Sequence, residues 1–597
     1  MLSKKQRKQN LDLAENVGLL SHLTKAPAAP RDNLRPSSAA INDPRRILSF
    51  ETEVCLASTL AFICSISDDP CHVIAVCVEE LPATRAIRVV VAINKERPQS
   101  QNEVLKRIKD GLAVILGHLS RVGKAEDTRA EERVFAAVAD MCQHRILGRI
   151  RSKRRRAKSN KRAKQKAWLG SLIQRAIQAI GGQGSRRLPK TDMNTFKKRT
   201  QALLETLELL EKCDEKDVLQ HIQTVIRAAH RLHSTGCVAD ILATIQTGDL
   251  NTESTTSIST RVEKLARYWE CSAYLVQLAS SLGIFQQAEV VSVSLDPQLF
   301  VRDTQVPPDC LQRCIDRCRS HTAKTFPRIQ EIEEKLNITK SSFMSIVQRL
   351  LRESKVHAEV QIVCHYELHP PPIKPRVICS SKDACYLCNL LIQIHGEYHV
   401  PRTHSNLYPG WRVLPVPALN RVYAQLNRAL EARIRDALPT FMDPSRRRSI
   451  ISQNPNESAL FPNLPPVATT ASTVVAEGSG SRDAESRGSE RQRQEALEEE
   501  PAASPAPSRT AERRGSQTGN SPVREGDRIS APGPACPVPS RPLQSQRATP
   551  ESLEIPRNRT PQQCGGPKGI RSSVEFQAEC RASTRIDFGI AYQVGLV

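Results

Sequence analysis

Aromatic residues are scarce, at 4% of 597 positions, and acids are outnumbered: 63 Asp and Glu stand against 86 Lys and Arg, a formal net charge of +23. So few aromatics agree with a chain that leaves a substantial fraction unstructured. The charge excess points to an anionic partner, nucleic acid first, or to basic segments held in solvent. Long apolar runs are missing too. The longest, Leu56 to Ile66, is too short to cross a bilayer, and no unbroken apolar run follows the opening MLSKKQRKQN, so neither a membrane span nor a signal peptide is expected. The eighteen cysteines are mostly isolated on apolar faces and are expected as reduced thiols, in nucleus or cytoplasm. At this length two or three domains are expected.

What the chain does have is the stretch VHAEVQIVCHYELHPPPIKPRVICSSKDACYLC, from Val356 to Cys388. His357 and the Cys385-x-x-Cys388 pair are three zinc ligands of the usual kind, and three protein ligands leave a fourth position for water, as in catalytic sites. Glu359, two residues from the histidine, can handle that water's proton. H-x-E followed by C-x-x-C is the signature of zinc-dependent nucleobase deaminases. Val360, Val363 and Cys364 recur at helical spacing over 358–368, and Pro370 to Pro372 end that helix. Arg376 to Ser380 reads as a short buried strand, and Cys385 to Ile394 as a second helix closed by Gly396. The ligands then sit at the first turns of two helices, where the backbone dipole favours thiolate. Cys379 and Cys364 are nearby competitors; a fourth sulfur from Cys379 would close the site and make it non-catalytic.

Taken in order, residues 1–45 read as a mobile basic arm. Residues 46–99 hold a helix over 47–66 and strands over 73–78 and 87–93, joined by polar 79–86 as a hairpin. Asn94, just past the second strand, is either a polar substrate contact or a turn residue. Residues 100–340 are almost entirely of helical period, expected as a large insertion or a separate helical domain. Within them the run 149–166, RIRSKRRRAKSNKRAKQK, contains no acid; it is an import signal, a nucleic-acid contact or a solvated linker. No aromatic interleaves it before Trp168, so it lacks the stacking platform of single-strand binders. Residues 341–440 carry the zinc motif and then HVPRTHSNLYPGW, whose His404, Tyr408 and Trp411 either line a pocket by stacking on a base or pack a loop on the sheet. The amphipathic run 418–437 closes the globular part. Residues 441–597, rich in Ser, Pro, Arg, Gly and Glu, are expected to be disordered, with a more apolar end at 586–597 that suits a short docking segment.

The zinc stretch with VICSSKDACYLC, the later THSNLYPGW and the opening hairpin HVIAVCVEELPATRAIRVVVAINK resemble the fungal OTT-type deaminase family, over about 46–99 and 340–437. Ser381-Lys382 ahead of the cysteines and Tyr-Pro-x-Trp after them carry the likeness beyond the bare signature. The resemblance implies an α/β, cytidine-deaminase-like fold: a mixed sheet flanked by helices. It also implies zinc on His357, Cys385 and Cys388, with Glu359 as proton shuttle, and supplies a reaction class without a substrate. The chain departs from the pattern at Ala384, where the general signature has Pro, and at 404–406, where HSN replaces a Gly-containing loop. The expected function is zinc-dependent hydrolytic deamination of a nucleobase, nucleoside or nucleic acid. The rival is a non-catalytic deaminase-like scaffold that serves as an interaction or nucleic-acid-binding module.

Overall fold

The computed structural model describes residues 2–443 except 35–42, 70, 124–128, 155–166, 183–189, 237, 245–249 and 320–326. The expected disordered tail lies outside these beyond its first three residues, as does most of the basic run. Eight short strands are present among the described residues: β1 (Arg31–Asp32), β2 (Ile74–Leu81), β3 (Ala86–Ile93), β4 (Glu289–Ser292), β5 (Lys355–Val356), β6 (Cys379–Ser380), β7 (Arg402–Thr403) and β8 (Trp411–Arg412). They form a central sheet in the order β4-β3-β2-β6 and two two-stranded pairs, β1-β7 and β5-β8. Helices make up most of the remainder, so this is a mostly helical α/β structure with small mixed sheets.

The sheet is built on the expected hairpin. β2 and β3 pair antiparallel from Ile74 opposite Ile93 to Leu81 opposite Ala86. Both strands are buried on both faces, which is why they read as continuous apolar runs and not as alternation. The pleat still sorts their side chains. Val76, Val78, Val89 and Val91 face one core with the helix Phe50–Ile63. Ala75, Cys77, Val90 and Ala92 face the other, against the helix Ala358–Leu368. Small residues at Ala75, Cys77 and Ala92 let that helix lie close; Cys77 Sγ is 3.4 Å from the Tyr366 hydroxyl. The expected polar loop over 79–86 is shorter than its composition suggests. β2 continues through Glu79 and Glu80 because each acid finds a guanidinium, Arg88 at 3.0 Å and Arg46 at 2.9 Å. The turn is one 3-10 segment, Pro82–Thr84, closed by Arg85 at φ 50°.

Two expectations about organisation are corrected. First, residues 100–340 are not one helical block. Helices from Asn102–Leu119 to Thr252–Leu282 pack with Phe50–Ile63 in the first core. The chain then returns to the sheet as β4, parallel to β3, and the helices Cys310–Cys318, Ile329–Leu336 and Lys340–Glu353 join the second core. The sequence hides β4 because only Val290 and Val291 are apolar, too little to show a period. The start of the basic run is also docked and not solvated. Arg149 is buried with its guanidinium over the rings of Phe62 and Tyr268, and its Nε donates to the Tyr268 hydroxyl at 3.1 Å.

Second, the amino-terminal segment is not a mobile arm. Ser3 and Gln6 form a capping box that opens the helix Lys4–Leu23. Leu13, Val17 and Leu20, spaced by four and three, are buried in the second core with Phe343 and Leu350. Glu15, fully buried, meets Arg317 at 2.7 Å, and the Asn16 amide donates to Asn427 at 3.3 Å. The basic opening and the Ala/Pro/Ser-rich stretch behind it mask a short apolar stripe, LDLAENVGLL.

Candidate metal centre

His357 is the residue before the helix Ala358–Leu368, held in extended backbone at φ −69° and ψ 155°. Three attachments fix that start. Lys95 and Val356 exchange backbone hydrogen bonds at 3.0 and 2.8 Å, β5 lies parallel to β8, and Asn94 Oδ1 accepts the Ala358 N–H at 2.8 Å. Asn94 is therefore the polar group that anchors the histidine helix to the end of β3; its φ is not positive, so it is no strained turn residue. Gln361, one turn on, ties the helix to Ile93 O at 2.6 Å and Val356 O at 3.1 Å.

Cys385 caps the second helix, Tyr386–His395, which ends at Gly396 in the left-handed region at φ 83°. Its Sγ accepts the Cys388 N–H at 3.4 Å. The loop after β7 buttresses it: His404 N–H donates to Ala384 O at 3.1 Å and Tyr386 N–H to Asn406 O at 3.0 Å. Here HSN stands in for a Gly-containing loop at a specific cost. Ser405 sits at φ 56°, the left-handed conformation a glycine would take without strain, and is held by its hydroxyl on Ala29 O at 2.9 Å. Ala384, in place of the signature proline, keeps an N–H that donates to Arg402 O at 3.1 Å.

The two helix starts converge. His357 Nδ1 lies 3.6 Å from Cys385 Sγ and 3.5 Å from Cys388 Sγ, and all three donor atoms fall within 4.8 Å of one another. A tetrahedral zinc about 2.3 Å from sulfur and about 2.0–2.1 Å from nitrogen sets those donors roughly 3.6 Å apart. The donor set thus fits zinc in kind and in spacing. Burial resists a charge on the His357 ring, but the Cys385 sulfur outweighs it and raises the ring's pKa. Burial also pushes both thiols up, yet the Cys388 hydrogen bond and the His357 ring hold Cys385 well below the ordinary thiol range, while Cys388 stays well above it.

Glu359 is buried beside this set. Oε1 accepts the Ser380 hydroxyl at 2.9 Å and Oε2 lies 3.6 Å from Cys388 Sγ. Burial pushes its carboxyl above the ordinary range, against the pull of His357. Ser380 was not singled out in the sequence, and its neighbour explains it. Cys379 and Ser380 are adjacent on β6, so their side chains point to opposite faces. Cys379 Sγ goes to Ser58 at 3.3 Å in the first core, and Ser380 goes to Glu359. The competing fourth sulfur is thus turned away, and Cys364 lies near the Tyr423 hydroxyl at 3.8 Å.

The aromatic loop divides in three. Trp411 is 3% exposed, and its indole N–H donates to Cys388 Sγ at 3.2 Å, so it packs on the candidate donor set. His404 is buried, with Nδ1 accepting the Asn406 N–H at 3.0 Å, and burial lowers its pKa toward the neutral ring. Tyr408, 40% exposed and edge-on to His404, is the member open to solvent. A second group of donors, Glu367, His395 and Glu397, is a weaker prospect for an ion. The Lys374 ammonium already bridges its carboxylates at 3.1 and 2.7 Å.

Residues 356–415 match the family model of an OTT_1508-like deaminase. This segment contains His357, Glu359, Cys385, Cys388 and Trp411, and is narrower than the likeness read from the sequence. No curated protein and no solved structure matches the chain. No helix among the described residues is long and apolar enough to cross a membrane.

Proposed function

We propose that this chain is a zinc-dependent hydrolytic deaminase acting on a nucleobase-type amine. The observation that carries the reading is a buried carboxylate, Glu359, against a three-donor set that fits zinc and would supply three of the four ligands zinc takes. Zinc bound there would act as a Lewis acid and make water nucleophilic near neutral pH. Glu359 would take one proton from that water and pass it to the ring nitrogen, and would then carry a second, from the newly added hydroxyl, to the amino group that leaves as ammonia. Ser380 holds Oε1, so Oε2 is the oxygen that moves the proton. Tyr408 offers an aromatic edge or face to a base, while Asn94 and His404 keep the two helix starts in place.

Purified full-length protein is expected to hold about one zinc per chain by elemental analysis, given a single three-donor set of this kind. It should release ammonia from some member of a panel of bases, nucleosides and oligonucleotides. Full zinc occupancy with no release from any of them would favour the scaffold reading, to which the buried Trp411 and His404 lend some support. The indole contact gives a separate test. Trp411→Phe keeps the ring's packing and removes the N–H on Cys388, so zinc affinity should fall by about 10–100-fold in competition with a chelator. Unchanged affinity would show that the contact is packing alone.

A further inference from the structure

A cleft of about 600 Å³ opens beyond the carboxyl ends of β3 and β4, two adjacent parallel strands. Sites of this size hold small organic ligands, and the carboxyl ends of parallel strands are where open α/β sheets bind them. Lys95, Lys106 and Lys109 line it, against one carboxylate, Asp110. Lys95 is 7% exposed, and its ammonium has only neutral partners, Pro98 O at 3.1 Å and Asn102 Oδ1 at 3.3 Å. Among the described residues no carboxylate pairs with any of the three lysines. A buried ammonium without a counter-charge is costly, and burial lowers the Lys95 pKa accordingly. The helix Asn102–Leu119 begins at the same cleft, and no side chain caps its first N–H groups. The lining also includes apolar side chains, Phe300 and Leu295 among them.

We propose that this cleft binds an organic phosphate of nucleotide size, its phosphate on Lys95, Lys106 and Lys109 and its ring against Phe300. A phosphate there supplies the missing counter-charge and meets the free N–H groups of the helix start. None of His357, Glu359, Cys385 and Cys388 lines the cleft, although Gln361 of the histidine helix does. Asn94 serves the histidine helix, and the next residue, Lys95, turns to the cleft. The ligand is either a free nucleotide or one phosphate of a polynucleotide.

The test is equilibrium binding to the full chain, with adenosine 5′-monophosphate, adenosine and a thymidine ten-mer as probes, read without turnover. Lys106 is exposed and Lys109 half-buried, so the double variant Lys106→Ala/Lys109→Ala should fold; Lys95→Met is the stronger but riskier change. Binding of the monophosphate, with adenosine at least about tenfold weaker and the double variant weakened by a similar factor, supports a free nucleotide. If only the ten-mer binds, and the double variant lowers its log–log salt slope by about 0.7 per lysine lost, the phosphate belongs to a polymer. Equal binding of adenosine and its monophosphate, no binding of any probe, or binding unchanged in the double variant would each overturn the proposal.

Discussion

Turnover by Glu359→Gln is expected to fall by about 10²–10⁴-fold while zinc stays bound. Glutamine has the shape of the carboxylate and can still accept the Ser380 hydroxyl through its oxygen, so the surroundings have no reason to move. It cannot accept and return a proton. Glu359 is not one of the three clustered donors, so the metal should remain. Ammonia release and zinc content measured on the same preparation separate the two effects. If zinc departs together with activity, Glu359 is a ligand and the assignment of roles is wrong. If activity survives at the native level, the proton travels by another group.

The second large effect lies in the amino-terminal helix, which supplies none of the donor atoms. Removal of residues 2–23 is expected to abolish cooperative folding. Leu13, Val17, Leu19 and Leu20 are all buried. At about 1.5–3 kcal/mol each, they contribute roughly 6–12 kcal/mol, comparable with the whole stability of an ordinary domain. Truncation also strips Asp12 and Glu15 from Arg317, which keeps only Glu431, at 3.2 Å. Thermal unfolding of the truncated chain should show no sharp transition, or the protein should be insoluble. A midpoint within a few degrees of the intact chain would restore the idea of a loose arm.

The elements most legible in the sequence were those with one strong local signal. The hairpin's apolar runs, the helix after His357 and the helix after Cys385 all appear close to where periodicity and the Pro and Gly breaks put them. Residues whose roles depend on distant partners were not legible. Nothing local to Trp411 says that its N–H meets Cys388, twenty-three positions back. Asn94 looked like a turn residue because its partner, the Ala358 N–H, is 264 residues away. β4 has too few apolar positions to show a period and exists because β3 offers it an open edge. The helix Lys4–Leu23 was hidden by charge, since composition averages over the face that packs.

Adjacent positions Cys379 and Ser380 send a thiol to one core and a hydroxyl to the carboxylate in the other. This segment should accept many replacements of residue type but not a change of length. A one-residue deletion within 382–384, with Cys385 kept in place, would draw β6 on by one residue and reverse that parity, taking the Ser380 hydroxyl from Glu359 and turning the Cys379 sulfur toward the donors. Natural variation here is expected as exchanges of one residue for another, while gaps collect in the connections on either side.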